Sequence, residues 1–181
     1  MTETIALPAD VKLTQLKTHP DHRGELTEIF RNEWHDSPLP MQWTVCRNAA
    51  NALRGVHVHT HHWDYLCAVG GELFVGLHDL RPEKGTARRS AMLRLDSDCL
   101  QMLLIPPGVA HGFYSPVESI ILLGASEYFV PADDHRCRWD SPELCLAWPC
   151  TAPELSALDR DAGGYADMRA ALLAARTAAT D

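Results

Sequence analysis

The sequence predicts an all-β protein, an antiparallel barrel or sandwich followed by a short C-terminal helix. Three observations carry this. From Val11 to Pro149 the chain falls into short runs of Val, Ile, Leu, Thr and aromatic residues. Gly, Pro, Asn or Asp interrupts them about every eight to twelve residues, the rhythm of short strands joined by turns. Several runs also alternate in polarity residue by residue, as a strand does when one side faces a core.

Taken in order, the expected strands are Val11–Lys17, Leu26–Phe30, Trp43–Arg47, Arg54–His59, Tyr65–Val69, Glu72–Leu80, Ala91–Leu95, Gln101–Ile105, Ile120–Ala125, Arg136–Trp139 and Leu144–Trp148. The alternation is clearest over Val11–Leu16 and Leu73–Leu80. Turn chemistry separates the runs at Asp21–Gly24, Gly70-Gly71, Arg81–Gly85, Pro106–Gly108 and Pro131–Asp134. After Trp148-Pro149 the composition shifts to Ala, Leu, Asp and Arg. Met168, Leu172 and Ala175 recur at helical spacing behind Gly163-Gly164, which predicts a peripheral helix over Tyr165–Ala178. The expected organisation is one barrel domain over residues 1–150 and a tail with a short helix over 151–181.

Length and charge narrow the function. At roughly 100 to 200 residues per domain, 181 residues make one domain with a core large enough to need no disulfide staples. The formal charge of −8 argues against nucleic acid as a partner, because gripping a phosphate backbone needs a basic face. No apolar stretch approaches the ~18–20 residues that span a bilayer, and the first residues lack a signal-peptide pattern, so no membrane is expected. Six cysteines without a C-x-x-C pair read as reduced thiols of a cytoplasmic protein.

The chemistry concentrates around His57, His59, His61 and His62, on a strand and the turn after it. His57 and His59 share one strand face, since side chains at i and i+2 point the same way. Asp64 and Gly71 complete the spacing H-x-H-x4-D-x6-G, and Pro106, Gly108 and His111 supply P-x-G-x2-H. Three imidazoles and a carboxylate suit a divalent transition metal such as Fe(II), Mn, Ni, Co or Zn, with His57, His59, Asp64 and His111 as the ligand set. The pair of patterns resembles the two motifs of the cupin superfamily, which implies a double-stranded β-helix, or jelly-roll, barrel.

A longer resemblance runs through Asp21–Phe30, Asn51–His57, Gly71–Phe74, Asp79–Arg81, Ile105–Phe113, Tyr128–Pro131, Trp139-Asp140 and Leu146–Pro149. In this order and at these intervals they are similar to the landmarks of the dTDP-4-dehydrorhamnose 3,5-epimerase family. The resemblance implies proton abstraction next to the ketone of a nucleotide-linked 4-keto-6-deoxy sugar, a reaction that needs no cofactor. It also implies a homodimer that exchanges N-terminal strands. His57, in Arg-Gly-x-His, matches the family's base, and Arg23 and Arg54 match the arginines that hold the diphosphate. Asp140 and His111 are expected to assist catalysis, and Glu28, Gln42, His59 and Phe129 to contact substrate. Trp43, Trp63 and Tyr128 add aromatic faces suited to a nucleobase.

Departures accompany the match. Asp64 stands where the family has a pocket lysine, Leu123 where it has the proton-donating tyrosine, and Ser141 where it has the aspartate that orients the base, with Asp140 adjacent. His61 or His111 is a candidate second acid–base group, and Tyr65 and Tyr114 are candidate replacement acids. Two other functions fit the same residues: a metal-dependent cupin enzyme such as a dioxygenase or lyase on another small molecule, and an inactive relative that binds a nucleotide sugar.

Overall fold

The computed structural model describes residues 5–34, 37–87 and 89–178. The strands are β1 (Lys12–Gln15), β2 (Thr18–Asp21), β3 (Gly24–Thr27), β4 (Gln42–Asn48), β5 (Ala52–Val58), β6 (Asp64–Gly70), β7 (Glu72–Asp79), β8 (Ser90–Asp96), β9 (Gln101–Ile105), β10 (Val109–Ser115), β11 (Ser119–Ala125) and β12 (His135–Arg136). The helices are α1 (Ala157–Arg160) and α2 (Tyr165–Ala178). Among the described residues β1-β9-β6-β11-β4 form one antiparallel five-stranded sheet and β12-β5-β10-β7-β8 a second, while β2 and β3 make a separate hairpin. This is the jelly-roll barrel with a C-terminal helix that the sequence predicts.

Two-residue periodicity decides what fills the space between the sheets. On β6, Leu66 and Ala68 face inward and Tyr65 and Cys67 outward. On β9, Leu103 and Ile105 face inward and Met102 and Leu104 outward. Leu73, Val75 and Leu77 of β7, Phe113 of β10 and Ile121 of β11 complete the inner core. Each such aliphatic side chain removed from water contributes roughly 1.5–3 kcal/mol. The same parity places Asp64 on the inner face of β6 and His57 on the inner face of β5, whose Val56 and Val58 point outward, with His59 just past its end.

The outer face of the β5 sheet is covered by α2. Met168 and Leu172 are buried against Val56, Val58, Leu80 and Cys137, so the C-terminal segment closes the barrel and is not the peripheral element the sequence predicts. Leu144–Trp148 is not a strand. Pro142–Leu144 form a 3₁₀ turn, and Trp139, Leu146 and Trp148 pack sideways against the barrel. Gly76 admits them, since a Cβ there would sit 2.8 Å from both Leu146 and Trp148. The expected strand over Arg136–Trp139 shortens to His135–Arg136, whereas β2 and β10 are additional. No helix among the described residues is long and apolar enough to cross a membrane, and the six cysteines are free thiols.

Candidate active site

A cleft of about 540 Å³ opens between the sheets at the end where histidines replace the aliphatic core. His57 is placed in it by β5 and His111 by β10, directly opposite each other in the strand register. Their ring centroids are 4.5 Å apart. The register slips between His111 and Phe113, so that β5 carries one extra residue at Gly55. Gly55 has φ +100° and lies so close to β10 that a Cβ would come within 2.8 Å of Gly112 Cα and the His111 carbonyl oxygen. This bulge turns Arg54 toward the same cleft as His57, although strict alternation would point it to the other face. Arg54 Nε donates to Asn48 Oδ1 at 2.8 Å, which leaves the outer guanidinium nitrogens for a ligand.

His57 Nδ1 is buried and has no hydrogen-bond partner among the described residues. Burial, reinforced by His111, His59 and Arg136, holds its imidazole well below the usual histidine range, so the ring is neutral at pH 7. Burial likewise pushes His59 down to about 4, against the pull of Asp64. For His62 burial is outweighed by a hydrogen bond to Asp64 and by the Asp64 and Asp133 charges, and its value rises. Burial would raise Asp64, yet the His62 hydrogen bond and the His111 and His59 rings hold it below the ordinary carboxylate value.

His57, His59, His111, Asp64 and Arg54 thus converge as the sequence predicts. Gln42 and Phe129 line an adjoining lobe of about 430 Å³ that also reaches His57, Arg54 and Asp64. The Phe129 amide donates to Gln42 Oε1 at 3.1 Å, which fixes both at the rim. Other expectations are corrected. Asp140 does not approach His57: it is bound by Arg138 at 2.8 Å on the surface. The carboxylate in the cleft is Asp159, which is 4% exposed. Ser156 caps α1 and holds Asp159 through its Oγ at 2.7 Å. Arg136 ties Asp159 and Asp134 together beside His57, its neighbour across the β12–β5 pair.

Arg23 and Glu28 are also absent from the cleft. Arg23 has a side chain 78% exposed on the β2–β3 hairpin and pairs with Asp21, and Glu28 pairs with Arg31. His61 is exposed, and Tyr65 and Tyr114 are committed elsewhere, Tyr65 to the Pro38 carbonyl and Tyr114 to Asn51 Oδ1. Tyr128 is 66% exposed, and Trp63 packs with the outer core instead of facing the cleft. Leu123 lines the cleft as an apolar wall. The sequence reading placed His62 in the histidine cluster without a role, and it missed Arg136 and Asp159. Of these two, only Asp159 left a local signal, the S-x-x-D capping pattern from Ser156.

Fold and site together define a jelly-roll barrel with a histidine- and arginine-lined cleft, built for a small anionic ligand and proton transfer. The sequence matches the family model described as dTDP-4-dehydrorhamnose 3,5-epimerase over residues 6–167, and the chain belongs to that family. It is 29% identical over 165 residues to the dTDP-4-dehydrorhamnose 3,5-epimerase of Salmonella typhimurium, covering 85% of this chain and 89% of that one. A dTDP-4-dehydro-6-deoxyglucose 3-epimerase of Streptomyces bikiniensis is 29% identical over 141 residues, 72% of this chain and 71% of its own length. Among solved structures, a dTDP-4-dehydrorhamnose 3,5-epimerase of Bacillus anthracis with TDP and PPi bound superposes with a TM-score of 0.82 at 27% identity, covering 89% of this chain and 98% of that one.

Proposed function

We propose that this chain is an isomerase of a nucleotide-linked, dTDP-type 4-keto-6-deoxy sugar, with His57 moving the proton on the carbon next to the ketone. The observation that carries the reading is a half-buried His57 imidazole, held below its usual range by desolvation, that lines one cleft with the Arg54 guanidinium. A base for such a proton must be uncharged at working pH and within reach of the carbon, and a planar cation suits phosphate oxygens. The Arg136–Asp159 pair beside His57 supplies the further charge of the site. Family membership favours this reading over a dioxygenase or lyase.

Arg23 serves the diphosphate only if a second copy presents its hairpin to this cleft, which supports a homodimer. The exposed apolar side chains Leu26, Met41, Trp43 and Val45 lie on that hairpin and on or next to β4, the edge strand of its sheet, and mark where the second copy would seat. An open edge with apolar flanks is otherwise a liability to a soluble protein. Incubation with a dTDP-4-keto-6-deoxyhexose in deuterated water tests the reading. Mass spectrometry should show deuterium on the sugar, and absence of exchange with every nucleotide-linked keto sugar would overturn it.

A further inference from the structure

We infer that Arg136 is a catalytic residue, whose guanidinium holds the ketone oxygen of the sugar while His57 takes the proton from the carbon beside it. Arg136 is the direct register partner of His57 across the β12–β5 pair. Partners directly opposite on an antiparallel pair project from the same face, with Cβ atoms about 4.5–5.5 Å apart. His57 faces the cleft, so Arg136 does too, and both line the main cavity and its adjoining lobe. A ketone oxygen and the hydrogen on the neighbouring carbon are separated by only a few bonds. A base for that hydrogen and a cation for that oxygen must therefore stand side by side, as these two side chains do.

The guanidinium is held from two sides. Its Nε donates to Asp134 Oδ2 at 3.0 Å, Nη2 donates to the same oxygen, and Nη1 donates to Asp159 Oδ1. Both carboxylates are themselves fixed by burial, the side chains of Asp134 and Asp159 being 7% and 4% exposed, and Ser156 Oγ donates to Asp159 Oδ2 at 2.7 Å. Burial, which would lower the Arg136 value, is outweighed by Asp134 and Asp159, so the head stays charged. A guanidinium carries five N–H donors. Three are engaged among the described residues, which leaves one hydrogen on each Nη for an oxygen in the cleft.

Other groups around His57 do not supply this charge. Burial keeps His57 and His59 below the usual histidine range, so both rings are neutral at pH 7. His62 is tied to the Asp64 carboxylate, and Leu123 is an apolar wall. In the isomerase reading, on which this inference rests, Arg54 is given to the diphosphate. As His57 accepts the α-proton, the C–H electron pair forms the C=C bond and the carbonyl π pair moves onto oxygen, which accepts hydrogen bonds from Arg136. The guanidinium keeps its protons throughout, and protonation at carbon reverses the step with no net oxidation. Donors locked in place before the charge develops need no reorganisation when it does, which is what makes such a contact stronger in the transition state than in the ground state.

The test compares the native full chain with Arg136→Lys and Arg136→Ala, measuring deuterium exchange into a dTDP-4-keto-6-deoxyhexose, the Kd for dTDP and circular dichroism. Lysine keeps the charge but offers a point donor in place of a fork, so exchange at saturating substrate should fall about tenfold, and in Arg136→Ala about 10²- to 10³-fold. The Kd for dTDP should stay within about threefold in both, because dTDP carries no ketone. Millimolar guanidinium ion should restore part of the rate to Arg136→Ala and none to His57→Asn, a response that a mere strap between α1 and β12 does not give. Arg136→Lys, which leaves a cation between the two carboxylates, carries the test if Arg136→Ala fails to fold. Exchange by Arg136→Lys within about threefold of native, or a rate lost only in step with dTDP affinity, overturns the assignment and leaves the isomerase reading standing. A native chain that exchanges no deuterium overturns the isomerase reading itself.

Discussion

Arg54 and His57 project into one cleft although they stand three positions apart on the same strand, because β5 bulges at Gly55. The bulge sets a phosphate-binding cation and a proton-accepting ring at a fixed offset on a sheet. Arg54→Ala should therefore raise the Kd for dTDP about tenfold to a hundredfold, through loss of charge-assisted hydrogen bonds. The exchange rate at saturating substrate should change little, since the lost contact holds ground and transition states alike. Isothermal titration with dTDP, alongside saturation kinetics, separates the two effects.

The two aspartates near the end of the barrel should differ. Asp159 lies in the cleft under Arg136, whereas Asp140 is at the surface under Arg138. Asp159→Asn should cut the exchange rate by about tenfold or more, and Asp140→Asn should leave it within about twofold. Circular dichroism of both variants confirms that the fold is retained.

Mixing experiments report on the second copy. If Arg23 serves the cleft of its neighbour, Arg23→Ala and His57→Asn chains are each impaired alone, yet mixed dimers contain one intact site. Refolding equal amounts together should restore about a quarter of native activity, because half the dimers are mixed and each has one working site of two. No recovery on mixing, with dimers present by light scattering, would place Arg23 outside the site.

The pH profile follows from the environment of His57. Burial and the neighbouring His111 and His59 rings push its imidazole well below the ordinary histidine value of about 6.5. The base works when deprotonated, so depressing its value moves the acid limb of the profile downward. The kcat/KM for exchange should stay flat through neutral pH and fall only at a midpoint below 6.5. A midpoint at or above 6.5 would mean that His57 is more solvated in the free protein than its position implies.

Much of the fold was legible in the sequence, and the exceptions have physical causes. A strand with one wetter face, such as β8, announces itself by alternation. In β10 all seven residues are buried and the polarity pattern vanishes, so Val109–Ser115 read only as a motif. Leu144–Trp148 has strand-like composition, but proline on both sides and the gap over Gly76 direct its side chains into packing instead. In the site, His57, His59, Asp64 and His111 were legible because two-residue spacing fixes their side. Asp159 was not, because a residue in the C-terminal segment reaches the cleft only through α1 and the pair with Arg136. Arg23 matched a family landmark, yet it is exposed on its hairpin and does not line the cleft of its own chain.

The central claim is that His57 moves a proton on a carbon next to a ketone. Native protein and His57→Asn, mixed with a dTDP-4-keto-6-deoxyhexose in deuterated water and followed by proton NMR, test it most directly. The native chain should wash deuterium into the sugar, and His57→Asn should do so about 10²- to 10⁴-fold more slowly while still binding dTDP. Equal exchange by the two proteins would contradict the account.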